Sequence, residues 1–237
     1  DTDSSSIDAN NMQALVIAID EGPKLTVEEI RFEGNEVLSD DDLRDAMEQG
    51  TTGFLRGGVF KKQVFEEDRD RIITHCKDHG LLDAEIERVE LLPYEDREDR
   101  LEIVVHIDEG PRYSVGEVNW DGNTVFDDVT IAEEIYLNQG EVFQEKEYLT
   151  TLENLQSLYA DRGYIYVAVE PERELRDQQV NVTFRISEGQ PAKVRDILIS
   201  GNTKTYDEVL LREFHIYPGD VFSRKRIEYS VRDAMQS

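Results

Sequence analysis

Cysteine is almost missing from this 237-residue chain: Cys76 stands alone, so no intramolecular disulfide can form. A single cysteine also gives no sign of the redox compartment. Lysine is scarce, at eight of 26 basic residues, and 53 acidic residues leave a formal net charge of −27. That excess argues against nucleic acid and anionic membrane surfaces as partners, since both carry negative charge. Long apolar runs are absent too. The longest, Ala14–Ile19, is strand length, well short of the roughly 18–20 residues needed to span a bilayer, so no direct membrane insertion is expected. The opening DTDSSSIDANN is polar and acidic and lacks the pattern of a secretory signal. The chain is then either cytoplasmic or a fragment whose targeting segment lies elsewhere. No phosphate loop, nucleophile elbow or zinc-ligand spacing occurs.

What the chain does have is a repeat. Gly-Asn pairs stand at Gly34-Asn35, Gly122-Asn123 and Gly201-Asn202, spaced 88 and then 79 residues apart. A second marker keeps the same offsets: DEGP begins at Asp20 and Asp108, and the related SEGQP at Ser187. Two independent markers in one register define a repeated unit.

Period-two apolar spacing precedes each Gly-Asn (Val27, Ile30, Phe32; Val115, Val118, Trp120; Val194, Ile197, Ile199). It also precedes each Glu-Gly (Leu15, Ile17, Ile19; Ile103, Val105, Ile107; Val182, Phe184, Ile186). Such alternation lays one face of a strand on a core. Between the strands the period changes. SDDD at 39–42 and TYDE at 205–208 are capping-box patterns that open short helices. Longer helices are predicted over about 61–79, ending at Gly80, and about 144–162, ending at Gly163. Each unit reads strand–helix–helix–strand–strand, with a flexible insertion, EQGTTGFLRGG, between the helices of the first. The Gly-Asn pairs are structural turns: glycine reaches positive φ, and Asn tolerates the left-handed region better than most residues.

These residues resemble the POTRA (polypeptide-transport-associated) family. The likeness rests on EGPRYSVGEVNWDGNTVF, GEVFQEKEYLTTLENLQSLYADRGYIYVAVEP, VNVTFRISEGQPAKVRDILISGNTKTYDEVLLREF and PGDVFSRKRI. It covers nearly all of the chain beyond residue 12. Tandem units with these phrases are similar to the periplasmic arms of BamA-like outer-membrane β-barrel assembly factors. The stretch from residue 201 is most like the last unit before the barrel. The TTGFLRGGVF insertion is similar to versions from the Bacteroidota, and acid excess with scarce lysine resembles proteins of extreme halophiles.

The resemblance implies an α+β fold. Each module is a three-stranded mixed sheet with two antiparallel helices on one face, and the modules form an elongated arm. Residues 1–22 are then a tail and the last strand of a preceding unit, 23–110 and 111–190 complete units, and 191–237 a partial one with a first strand and two helices. The implied role is that of a scaffold. It receives unfolded outer-membrane proteins by strand addition, docks accessory assembly lipoproteins and precedes its own C-terminal membrane barrel. The alternative is the arm of a two-partner secretion pore or of a TamA-like translocation factor. Client contacts fall on edge strands, at Tyr164, Tyr166, Ala168, Glu170, Glu85 and Glu87. The second unit's edge, YIYVAV, is uncharged and is expected to be the better receptor.

Enzyme chemistry, a cofactor and a metal are not expected. His75 and His79 lie one helical turn apart with Cys76 between them, yet His75 and Cys76 align with Leu158 and Tyr159, which are helix-core positions. The two incomplete ends invite one further expectation. The strand at 14–20 lacks a module and the module at 192–237 lacks closing strands, so truncation-induced, head-to-tail self-association is predicted.

Overall fold

The computed structural model describes residues 24–51, 58–201 and 206–236. The tail strand expected at 14–20, most of the insertion and Asn202 lie outside these residues.

The first module runs β1 (Thr26–Glu33), α1 (Asp40–Asp45), α2 (Lys62–Asp78), β2 (Glu85–Tyr94) and β3 (Arg97–Asp108). The second repeats it as β4 (Ser114–Asp121), α3 (Asp128–Glu133), α4 (Glu145–Asp161), β5 (Ala168–Arg176) and β6 (Gln179–Ser187). In each sheet the third strand is central, in the orders β1-β3-β2 and β4-β6-β5. It runs parallel to the first strand and antiparallel to the second. The helices supply the crossover that a parallel pair requires, and a tight hairpin supplies the antiparallel pair. The hairpins turn on Glu95-Asp96 and Asp177-Gln178, all four at positive φ (50° to 59°), as a two-residue turn between twisted strands demands.

The apolar alternation is buried as its period requires. Val27, Ile30, Phe32, Ile103, Val105 and Ile107 face Leu43, Phe65, Ile72 and Cys76 across the first core. Val115, Val182, Phe184 and Ile186 face Ile131, Leu155 and Tyr159 across the second. The three-residue steps from Val27 to Ile30 and from Val115 to Val118 break strict alternation. A register shift in each β1-type strand restores the face.

One buried side chain on each long helix ties down the segment after the short helix. Asp68 accepts the amides of Glu48 (2.7 Å) and Gln49 (2.8 Å). Thr151 Oγ1 accepts the Tyr136 amide at 3.0 Å. In the third module Ser230 Oγ accepts the His215 amide at 2.7 Å. Three different side chains at one repeat position do one job, because that job needs only an acceptor.

The third module contains α5 (Asp207–Arg212) and α6 (Arg224–Gln236). Its expected first strand is not formed as a strand. Residues 194–200 carry no ladder, since in the complete modules the first strand pairs with the third, and the described residues supply no such partner here. The α5 N-cap is Tyr206, without a side-chain cap bond, rather than Thr205, which lies outside the described residues. The capping box at Ser39–Asp42 forms as expected.

The joints repeat as well. Tyr113 N–H donates to Gly80 O (2.8 Å), and Ala192 N–H to Gly163 O (2.7 Å). The long helices α4 and α6 each also receive a cap from the module before: Lys146 N–H donates to Asp78 (2.9 Å) and Lys225 N–H to Asp161 (3.3 Å). A Cβ on Gly80 would lie 2.7 Å from Tyr113 O and 2.9 Å from Val142 Cγ1, so the chain comes too close there for any side chain.

Candidate functional site

The Gly-Asn and Glu-Gly markers turn out to be two halves of one clamp. Gly34 and Gly122 stand at φ 97° and 87°, and a Cβ on either would run into a third-strand carbonyl, Ile107 O or Ile186 O. Asn35 and Asn123 do not take the left-handed conformation expected of them. Asn35 Nδ2 instead donates to Leu38 O (2.9 Å) and Asp40 Oδ1 (3.0 Å), and Asn123 Nδ2 to Phe126 O (3.1 Å) and Asp128 Oδ1 (3.0 Å). The glycine alone supplies the unusual φ, and the Asn amide bridges the turn to the following helix.

The glutamate of each Glu-Gly reaches back over the same turn. Glu109, 4% exposed, accepts the amides of Glu36, Val37 and Leu38 at 2.7, 2.7 and 3.0 Å. Glu188 accepts the amides of Thr124 (2.7 Å) and Val125 (2.8 Å), the Thr124 hydroxyl, and the Tyr159 hydroxyl (2.9 Å). Burial acts to raise the Glu188 pKa, but the bonds from Thr124, Val125 and Tyr159 outweigh it and hold the carboxyl below its ordinary value. Sequence reasoning found both markers and missed their contact. The signal was their shared offset.

Strand edges decide what the sheets can bind. The start of each first strand is covered by the segment before the long helix. Val27 N–H donates to Gly58 O (2.5 Å), Val115 N–H to Glu141 O (2.8 Å) and Val194 N–H to Asp220 O (2.8 Å). On the opposite side β2 and β5 have no outer strand partner among the described residues.

The expected edge residues are placed unevenly. Glu85 opens β2, and Glu87 occupies a register shift between Ile86 and Arg88. Ala168 and Glu170 lie on β5. Tyr164 and Tyr166 do not. After α4 the chain makes a turn, with Val167 N–H bonding Tyr164 O at 3.1 Å, that sets the Tyr164 ring edge-on against Tyr159. Tyr166 projects from this turn, 77% exposed.

The second edge is therefore not the uncharged YIYVAV. It reads AVEPERELR, interrupted by Pro171, which has no N–H to donate. Arg173 pins it to α4, with two bonds to Glu145 (2.9 and 2.7 Å) and its guanidinium 3.5 Å above the Tyr148 ring. The first edge, EIERVELLPY, offers the less guarded stretch. Leu91 and Leu92 are 48% and 37% exposed.

The rings of His75 and His79 lie side by side at the end of α2, centroids 4.3 Å apart. His75 Nε2 is buried without a partner, and His79 Nδ1 lies 2.8 Å from His75 O. Burial pushes the Cys76 thiol up to about 11, which leaves it inert at neutral pH. Among the described residues no group of three or more His, Cys, Asp or Glu is arranged to hold a metal ion. No helix among them is long and apolar enough to cross a membrane.

The family model that matches is POTRA, described as "Surface antigen variable number repeat", over residues 25–110, 113–189 and 192–237. The outer membrane protein assembly factor BamA of Nitratidesulfovibrio vulgaris is 29% identical over 226 residues, 91% of this chain and 28% of the relative. The BamA of Neisseria meningitidis is 29% identical over 232 residues, 94% of this chain and 29% of that protein. The chain thus spans less than a third of the length of these curated relatives. The crystal structure of Haemophilus influenzae BamA POTRA3-5 matches with a TM-score of 0.69 at 20% identity, over 90% of this chain and 85% of that one.

Proposed function

The chain belongs to the POTRA family, and from that premise we propose that it is a section of the periplasmic arm of an outer-membrane protein assembly factor. It works without catalysis or cofactor. It holds unfolded barrel proteins by strand addition, offers surfaces to accessory assembly lipoproteins, and is joined to a membrane barrel encoded elsewhere in the full protein. The observation that carries this reading is the pair of sheet edges, β2 and β5, left without an outer strand partner among the described residues. An added strand gains main-chain hydrogen bonds whatever its sequence, which suits a receptor for many clients.

The two edges are unequal. Past the shift at Glu87, β2 offers Arg88–Leu92 without interruption. Past Pro171, β5 offers Glu172–Arg176, four of five residues charged. Charge and proline guard an edge, so clients favour the first module.

Photo-crosslinkers at Glu90 and Leu92, and at Glu172 and Glu174, would be challenged with a peptide copying the last strand of an outer-membrane barrel. Capture should be strongest from the first pair, absent from Tyr166, and lost when alternate peptide amides are N-methylated. Capture that survives N-methylation, or that is as strong from Tyr166, would remove strand addition from the account.

A further inference from the structure

The two joints share a backbone frame and differ in their side chains. At the first, the Tyr113 amide is held by Gly80 O and Tyr113 O accepts from Phe143 N–H (3.1 Å). At the second, the Ala192 amide is held by Gly163 O and Ala192 O accepts from Phe222 N–H (3.0 Å). The first joint then adds two side-chain bonds. The Tyr113 hydroxyl donates to Asp83 Oδ2 at 2.7 Å, and Arg112 Nε donates to His79 O at 3.0 Å. The bond to Asp83 raises the Tyr113 phenol above its ordinary pKa, so the hydroxyl keeps the proton that it donates.

The second joint has lost these bonds by sequence. Tyr166 stands 83 residues beyond Asp83, and Pro191 and Ala192 stand 79 beyond Arg112 and Tyr113. Neither Pro191 nor Ala192 carries a side-chain donor. Arg162, at the place of His79, turns to its own module, with its guanidinium 5.5 Å from the centre of the Phe126 ring. Leu82 packs against the second core, whereas its counterpart Ile165 is exposed and lines a cleft of about 860 Å³ between α4 and α6. The α6 wall of that cleft includes Arg224, Lys225 and Tyr229, while Ser230 of the same helix bonds within its own module, so the cleft lies between modules. All these contacts belong to linkers, long helices and the turns after them, which both joints possess.

We propose that the first joint is locked, that the second is a hinge, and that the Tyr113–Asp83 pair is the lock. Small joints between modules move by default, and a hinge needs only a few linker residues free to rotate. A second attachment away from the linker backbone stops that rotation at the first joint. The β2 and β5 edges then keep one mutual orientation, while the third module sweeps relative to both. Tyr166 owes its exposure to the absence of a partner at Ala192. Lock and hinge stand whatever the edges bind.

Pulsed electron spin resonance on the 237-residue chain reads each joint separately. Cys76 is buried, so spin labels go only to introduced cysteines. Glu66→Cys with Leu149→Cys spans the first joint, and Leu149→Cys with Arg232→Cys spans the second; all three positions are exposed. The first pair should give one narrow distance peak and the second a broad distribution. Asp83→Ala, at an exposed position outside both cores, should broaden the first. Tyr166→Asp together with Ala192→Tyr moves the lock to the second joint and should narrow its distribution, which neither change should do alone. Trp120 fluorescence like that of the parent checks that the second module is intact in each variant. An unfolded third module would also give a broad second distribution, but the double substitution would not narrow it. Equal widths at the two joints of the parent, no broadening with Asp83→Ala, or no narrowing with the double substitution would each overturn the proposal.

Discussion

Glu109→Ala asks how much of the first module hangs on one carboxylate. The substitution strips three amides of their acceptor at once. Glu36 and Val37 are exposed, so water replaces the carboxylate there, and each exchange costs about 1 kcal/mol. Leu38 is buried, and its orphaned amide costs about 1–3 kcal/mol. The sum, about 3–5 kcal/mol, is a large part of the roughly 4–12 kcal/mol available to a domain of some 80 residues. The second module should respond less, because it buries a core of its own and meets the first through Leu82 and backbone bonds such as Tyr113 N–H to Gly80 O. The chain carries its own reporter of that difference: Trp120, on β4, is its only tryptophan. In a urea titration, far-UV circular dichroism reads every module and tryptophan fluorescence reads the second. The variant should gain an early transition in circular dichroism while the fluorescence midpoint stays in place. Glu188→Ala should move the fluorescence midpoint instead. If both signals shift together in Glu109→Ala, or the loss is under about 1 kcal/mol, the carboxylate is not the clamp described.

Acid should loosen the second module through Glu188. Its folded pKa lies below the ordinary 4.5, so its contribution is present above that value and is lost as pH falls through the folded pKa; Glu188→Gln should flatten the fluorescence-detected dependence. His75 is lowered by burial and then by His79, so protons favour the unfolded chain as pH drops below 6.5; His75→Leu should raise urea resistance by about 1 kcal/mol at pH 7.5 and by more at pH 5.5, read by circular dichroism. The double substitution Glu95→Asn, Asp96→Gly places residues suited to positive φ in the first hairpin and should raise the midpoint of that module by about 1 kcal/mol. Melting in low and in molar salt tests the halophile expectation for the −27 charge, which requires markedly higher stability in molar salt.

The modules were legible in the sequence because strand and helix periods are local and repeat. The helices α2 and α4, the alternating strands and the Ser39 cap follow from patterns a few residues long. The failures have a common physical origin. Tyr164–Val167 looks like a strand by composition and is a turn, because Gly163 turns the chain at positive φ after α4 and the Tyr164 ring is drawn onto Tyr159, a contact made through tertiary packing. Asn35 and Asn123 were assigned a backbone role when their side chains do the work. The tethers at Asp68, Thr151 and Ser230 escaped notice because an acid, a threonine and a serine share no similarity beyond an oxygen. The exposure of Leu91 and Leu92 is set by which neighbours stand beside the strand, which no local pattern contains.

The caps from Asp78 to α4 and from Asp161 to α6 have a consequence for assembly in series. Each module finishes the helix of its successor, so the array has a grammatical direction, and a unit placed in reverse would find no acid waiting for its amides. A glycine carbonyl accepts the first amide bond of both joints, from Tyr113 at Gly80 and from Ala192 at Gly163. A side chain at Gly80, where a Cβ would press on Tyr113 O and Val142 Cγ1, should therefore re-aim the second module against the first.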